Sequence, residues 1–122
     1  MTVWQSNRIV ASEAMPGVEF VIARMTFGRR LELLKRVRDL AARLEYFEAG
    51  RDESNRVEAG LLGAQLDRLY IDWGLEEVRG LELDGEAATP FSLIERGPED
   101  LFKEALAAVK AECGLNEQER KN

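Results

Sequence analysis

Histidine is absent from the 122 residues, and cysteine occurs once, as Cys113. Without histidine the chain lacks the commonest general base, the commonest metal ligand and the usual near-neutral pH switch. A lone cysteine excludes an intrachain disulfide and a Cys/His metal cluster. Ser-His and Cys-His nucleophile pairs are excluded with them. Long apolar runs are missing as well. No stretch approaches the roughly 18 apolar residues that span a membrane. The segment Met1–Met15 is interrupted by Trp4, Gln5, Asn7, Arg8 and Glu13 and does not read as a signal peptide. No glycine-rich phosphate loop occurs, because Gly60 and Gly63 lie in an apolar helical stretch rather than after a strand. The expectation is a soluble chain, not an enzyme, with no catalytic or metal-ligating residues, no cofactor and no membrane segment.

Apolar residues make up 45 % of the chain and charged residues 33 %, enough of the first to fold and of the second to solvate the exposed faces. The formal net charge of −6 argues against duplex nucleic acid as the main partner. The charge is unevenly spread. Arg29 to Arg43 holds six basic residues against two acids, whereas Glu76 to Glu119 holds twelve acids against four basic residues.

Pattern along the chain predicts a mainly helical α+β fold. Met1–Gly17 has little periodicity and reads as a mobile arm that ends in the Pro16-Gly17 turn signal. Val18–Met25 predicts one short strand, with Val18, Phe20 and Ile22 on one face. Thr26 is placed to cap a helix from Phe27 to about Ala49, its stripe formed by Phe27, Leu31, Leu34, Val37, Ala41, Leu44 and Phe47 and widened by Leu33, Leu40 and Tyr46. After Gly50, Asp52 or Ser54 caps a second helix to Trp73, with Val57, Leu61 or Leu62, Leu66, Leu69, Tyr70 and Trp73 as its stripe. The short connection predicts an antiparallel helix hairpin. Asp84-Gly85 marks a β-hairpin that would join the N-terminal strand in a small antiparallel sheet. Thr89-Pro90 opens a short helix to Glu95, and Gly97-Pro98 opens the last one, to Cys113, with Leu101, Phe102, Ala105, Leu106 and Val109 as its stripe. Gly114 caps it and Leu115 folds back. Residues 18–115 therefore read as one globular domain, followed by a polar tail, 116–122.

The candidate binding residues follow from that plan. Trp4, Ile9 and Val10 are apolar residues of the arm, of the kind that order on binding. Tyr70 and Trp73 end the second helix; they are interface candidates, although continuity with the stripe favours core packing. Phe91 and Leu93 lie on a short helix that can hardly bury every apolar residue it carries. Arg29, Arg30, Lys35, Arg36, Arg38 and Arg43 form a basic face, read as solvated or paired with the acidic C-terminal half, within one chain or between copies, with nucleic acid the less favoured reading. The glycines Gly60 and Gly63 signal either close approach by another helix or, the favoured reading, a kink or tight packing within the chain. Cys113, at the negative end of a helix, reads as a packing residue. The adjacent carboxylates Glu76-Glu77 and Glu99-Asp100 diverge on a helix, and the second pair complements its dipole.

Three stretches carry a family resemblance: TFGRRLELLKRVRDLAARLEYFEAG (Thr26–Gly50), QLDRLYIDWGLEEVRGLELDGEAATPFSLIERGPEDL (Gln65–Leu101) and EALAAVKAECGLNEQERKN (Glu104–Asn122). With the Tyr70-Ile71-Asp72-Trp73-Gly74 junction and the DGE-x-x-TP element from Asp84 to Pro90, they resemble small proteins of prophages and long-tailed bacteriophages, namely tail assembly chaperones and associated tail-module proteins. The resemblance covers Val18–Asn122 and leaves the Met1–Gly17 arm outside. It implies a protein of the host bacterial cytoplasm that coats the helical tape measure protein before the tail tube polymerises. It assigns no role to any individual residue. A structural tail component that forms homo-oligomers through the separated charges is the alternative.

Overall fold

Two strands precede the helices in the computed structural model, which describes residues 1–114. They are β1 (Asn7–Ala11) and β2 (Glu19–Ala23). Two long helices follow, α1 (Phe27–Glu48) and α2 (Glu53–Gly74). Strand β3 (Leu75–Arg79) starts directly after α2, and the chain continues through β4 (Glu82–Leu83), β5 (Glu86–Ala87), α3 (Pro90–Arg96) and α4 (Glu99–Glu112). The fold is α+β and mainly α. It divides into two units, one made of Met1–Thr26 with Tyr70 onward, the other of Phe27–Leu69.

The first unit is built on an antiparallel sheet in the order β1-β2-β3. β2 is its centre, with Phe20 opposite Val10 on one side and Val78 on the other. Phe20, Val21, Ile22 and Ala23 are all buried, so both faces of β2 are covered rather than one. This explains why Val21 and Ala23 are apolar at positions where alternation predicts an exposed face. The Pro16-Gly17 turn forms as predicted: Gly17 has φ 96 and the Val18 N–H donates to the Met15 carbonyl at 3.1 Å. Gly80, with φ 77, closes against the Gly17 carbonyl, where a side chain has no room.

Two expectations change in this unit. The Met1–Gly17 segment is not a featureless arm, because Asn7–Ala11 pairs along its length with β2. The β2 edge needs backbone partners, and Ile9 and Val10 suit a strand. The Asp84-Gly85 hairpin forms, with φ 52 and 83 at its two central residues, but β4 and β5 make a ladder of their own. β3 takes the place beside β2 instead.

Local signals placed the remaining elements well. Thr89 caps α3 through a reciprocal pair: its hydroxyl accepts from the Ser92 N–H at 3.0 Å, and the Ser92 hydroxyl accepts from the Thr89 N–H at 2.8 Å. Asp52 caps α2 by accepting from the Asn55 N–H at 2.9 Å. Gly114 follows α4 with φ 75, the left-handed cap that glycine favours. The core of the first unit is Phe20, Ile22, Ile71, Trp73, Leu93, Leu101, Ala105 and Val109, each at most 2 % exposed. At Gly74 a Cβ would lie 2.5 Å from Val109 Cγ1, so glycine is what lets the end of α2 approach α4. The predicted fold-back of Leu115 and the tail 116–122 lie outside the described residues.

Candidate functional site

α1 carries two apolar stripes, and only one of them is covered. Leu33 is buried, while Val37, Leu40, Leu44 and Phe47 are half-buried; their steps of four and three define one helix face. The second stripe is exposed: Phe27 at 82 %, Leu31 at 45 % and Leu34 at 56 %. The single stripe predicted from sequence thus splits. Val37, Leu44 and Phe47 join Leu33 and Leu40, whereas Phe27, Leu31, Leu34 and Ala41 face solvent. Both sets obey the same helical spacing, so periodicity alone could not separate them. In α2, Leu62 and Leu66 are buried, and Val57 and Leu61 are exposed.

Gly60 and Gly63 lie in uninterrupted helix, and a Cβ at either would meet nothing. Tight packing within the chain, one half of the favoured sequence reading, therefore does not account for them.

The six basic residues all sit on α1. Glu32 accepts from Arg29 at 2.9 Å and from Arg36 at 2.6 Å, pairs internal to the helix. Arg38 reaches Asp39 at 3.5 Å with both side chains largely in water, a contact of little worth. Among the described residues, Arg30, Lys35 and Arg43 have no ion pair. The second unit as a whole holds nine basic and eight acidic residues, against eight basic and fifteen acidic in the rest of the chain.

The apolar candidates lie in the first unit and divide by burial. Trp73, 2 % exposed, and Leu93, 0 % exposed, are core residues and no partner can reach them. For Leu93 the reason is the capped start of α3, which turns Leu93 inward and leaves Phe91 outward. Trp4, Ile9 and Phe91 are exposed. Val10 and Tyr70 are half-buried, with the Lys110 ammonium 5.9 Å from the centre of the Tyr70 ring.

Sequence reasoning missed the two carboxylates that hold the β1–β2 hairpin. Glu104 accepts from the Ser12 hydroxyl at 2.5 Å and from the Glu13 and Ala14 N–H groups at 2.7 and 3.3 Å. The Ser12 hydroxyl chiefly holds its carboxyl below the ordinary value, desolvation opposes this, and the two amides each add a smaller lowering effect. Eight residues on, Glu112 accepts from Arg8 Nε and from the Met25 N–H, both at 3.0 Å. Both glutamates project from α4 and tie down opposite ends of the hairpin. No local pattern marks such bonds, whose partners lie about ninety residues away in sequence.

Cys113 is half-buried at the end of α4, where its N–H donates to the Val109 carbonyl at 3.1 Å. Glu99 and Asp100 occupy the first turn of α4, and Glu76 and Glu77 lie on β3. Among the described residues no group of three or more acids and cysteines is placed to hold a metal ion. No helix among them is long and apolar enough to cross a membrane. The second unit thus carries an exposed apolar strip on one helix with cations beside it, and the rest of the chain carries the excess of acids. No protein-family model, curated protein or solved structure matches the chain.

Proposed function

We propose that the protein acts in bacteriophage tail assembly as a chaperone-like factor that binds helical segments of a tape measure protein and keeps them soluble. It works in the host bacterial cytoplasm by binding protein, without catalysing a reaction. The observation that supports this most is the exposed stripe of Phe27, Leu31 and Leu34 on α1. An i, i+4, i+7 set of large apolar side chains is the usual means by which one helix is read by another. Such residues are costly to leave in water, and covering them with a second apolar helix relieves both. The excess of acids in the other unit supports solubility of the complex through like-charge repulsion.

The test is direct. Tape measure fragments that precipitate alone are mixed with the purified chain. On this reading they stay in the supernatant and co-elute with the chain; fragments that still sediment at a stoichiometric excess of chain remove it.

A second reading, a structural tail component that homo-oligomerises, draws support from the unequal charge of the two units. It predicts the chain in purified particles, where an assembly chaperone is absent.

A further inference from the structure

Phe27, Leu31, Leu34, Arg38 and Ala41 recur on α1 in steps of four, three, four and three, the spacing of a coiled-coil seam. In heptad terms Phe27 and Leu34 are d positions and Leu31 is an a position. Arg30 is then the g residue before Leu31, and Lys35 the e residue after Leu34. These flanking positions set the charge a partner helix must carry. Arg30 and Lys35 are exposed and, among the described residues, unpaired. Arg38 adds a third cation at the next a position. Of the two acids on this stretch, Glu32 is engaged by Arg29 and Arg36, and Asp39 reaches Arg38 at 3.5 Å.

The placement of these cations is not accounted for by the helix itself. The first turn of α1 contains no acid and its last turn no base. Arg29 and Arg30 stand near the positive end of the dipole, and Glu45 and Glu48 near the negative end, the reverse of the stabilising arrangement. Arg30, which opposes the dipole and has no ion pair among the described residues, marks a surface shaped for something else.

We infer that the Phe27–Ala41 face of α1 docks an acidic amphipathic helix, one with apolar residues at its own a and d positions and Glu or Asp at e and g. This rests on the helix-binding reading above and specifies its face and its chemistry. A second copy of α1 would bring like charges together at the e and g positions. A nucleic acid backbone would pair with the cations but leave Phe27, Leu31 and Leu34 in water. The strip is also narrow, flanked by Arg30 on one side and by Lys35 and Asp39 on the other, which suits one helix better than a lipid surface.

The experiment uses the full chain and two labelled 28-residue helical peptides with Leu at a and d, one with Glu at e and g, the other with Lys. Fluorescence anisotropy at low salt should show the Glu peptide binding at least about tenfold tighter than the Lys peptide, with the difference shrinking as salt rises. Arg30→Glu/Lys35→Glu should reverse the order, and Leu34→Ser should weaken both peptides, each variant keeping the helical circular dichroism of the parent. Equal binding of the two peptides, an unchanged order in the double variant, or displacement of the Glu peptide by phosphatidylserine vesicles would overturn the inference. If neither peptide binds but tape measure fragments are still held in solution, the inference fails and the chaperone reading stands. If those fragments precipitate too, both fail.

Discussion

The two units of this chain bury their apolar residues to very different degrees. In the first, Trp73, Phe20, Ile22, Ile71, Leu93, Leu101 and Val109 are sealed from water on and around a three-stranded sheet. In the second, forty-three residues of helix and turn bury only Leu33, Leu62 and Leu66, and leave Phe27, Leu31, Leu34, Tyr46, Val57 and Leu61 exposed. A sheet with helices against it can close a core. Two helices can cover one stripe each, and a helix with a second stripe keeps it in solvent. The difference teaches what each architecture closes: the first unit seals a core while leaving Trp4, Ile9 and Phe91 exposed, and the second keeps a regular apolar helix face in solvent. Charge follows the same division, near balance in the open unit and strongly acidic in the closed one.

Substitutions should therefore separate the units. The largest effect belongs to Trp73→Ala, which empties the middle of the closed core and should cost about 3–5 kcal/mol in urea unfolding. A loss under 1 kcal/mol would mean the core is less closed than the burial implies. Gly74→Ala comes next. Its Cβ would meet buried Val109, so a loss of about 1–3 kcal/mol is expected. Glu104→Ala should cost about 1–2 kcal/mol by releasing the Ser12 hydroxyl and two turn amides. Because the folded-state carboxyl titrates below its unfolded value, its contribution is present above the unfolded pKa and is lost as pH falls through the folded one. The acid limb of the wild-type stability profile should accordingly be steeper than that of the variant.

The same glycine-to-alanine change should have the opposite sign in the open unit. At Gly60 a Cβ meets nothing, so Gly60→Ala should stabilise by about 0.5–1 kcal/mol through helix propensity alone. If it destabilises instead, α2 is covered at that point and the contrast between the units weakens. The smallest effect is expected at Leu34→Ser, within about 0.5 kcal/mol of wild type in unfolding, while peptide binding falls.

What the sequence made legible was mostly local. The Thr89-Pro90 helix start, the Asp84-Gly85 turn and the Pro16-Gly17 turn are each specified by neighbouring residues, and each forms where expected. β1 was not legible, because five residues with Ile9 outward and Val10 inward carry little pattern until β2 lies beside them. The phase of the α1 stripe was hidden for a different reason. Phe27, Leu31 and Leu34 are as regular as Leu33, Val37 and Leu40, and only tertiary packing decides which set is covered. The basic residues were visible as a run, but Arg30 and Lys35 stand out only once Arg29 and Arg36 are seen to share Glu32. Leu93 is a contact candidate because a short helix can hardly bury every apolar residue, and Trp73 because an aromatic at a helix end can anchor an interface, with core packing favoured; burial removes both as contacts.

Hydrogen exchange of the full chain, with and without a solubilised tape measure fragment, puts the contrast between the units to the sharpest test. Slowed exchange confined to amides of α1 between Phe27 and Ala41, with β1, α3 and α4 unchanged, is the predicted result. Protection centred on Phe91 or Ile9, with α1 exchanging as before, would contradict it and move the binding surface to the acidic unit.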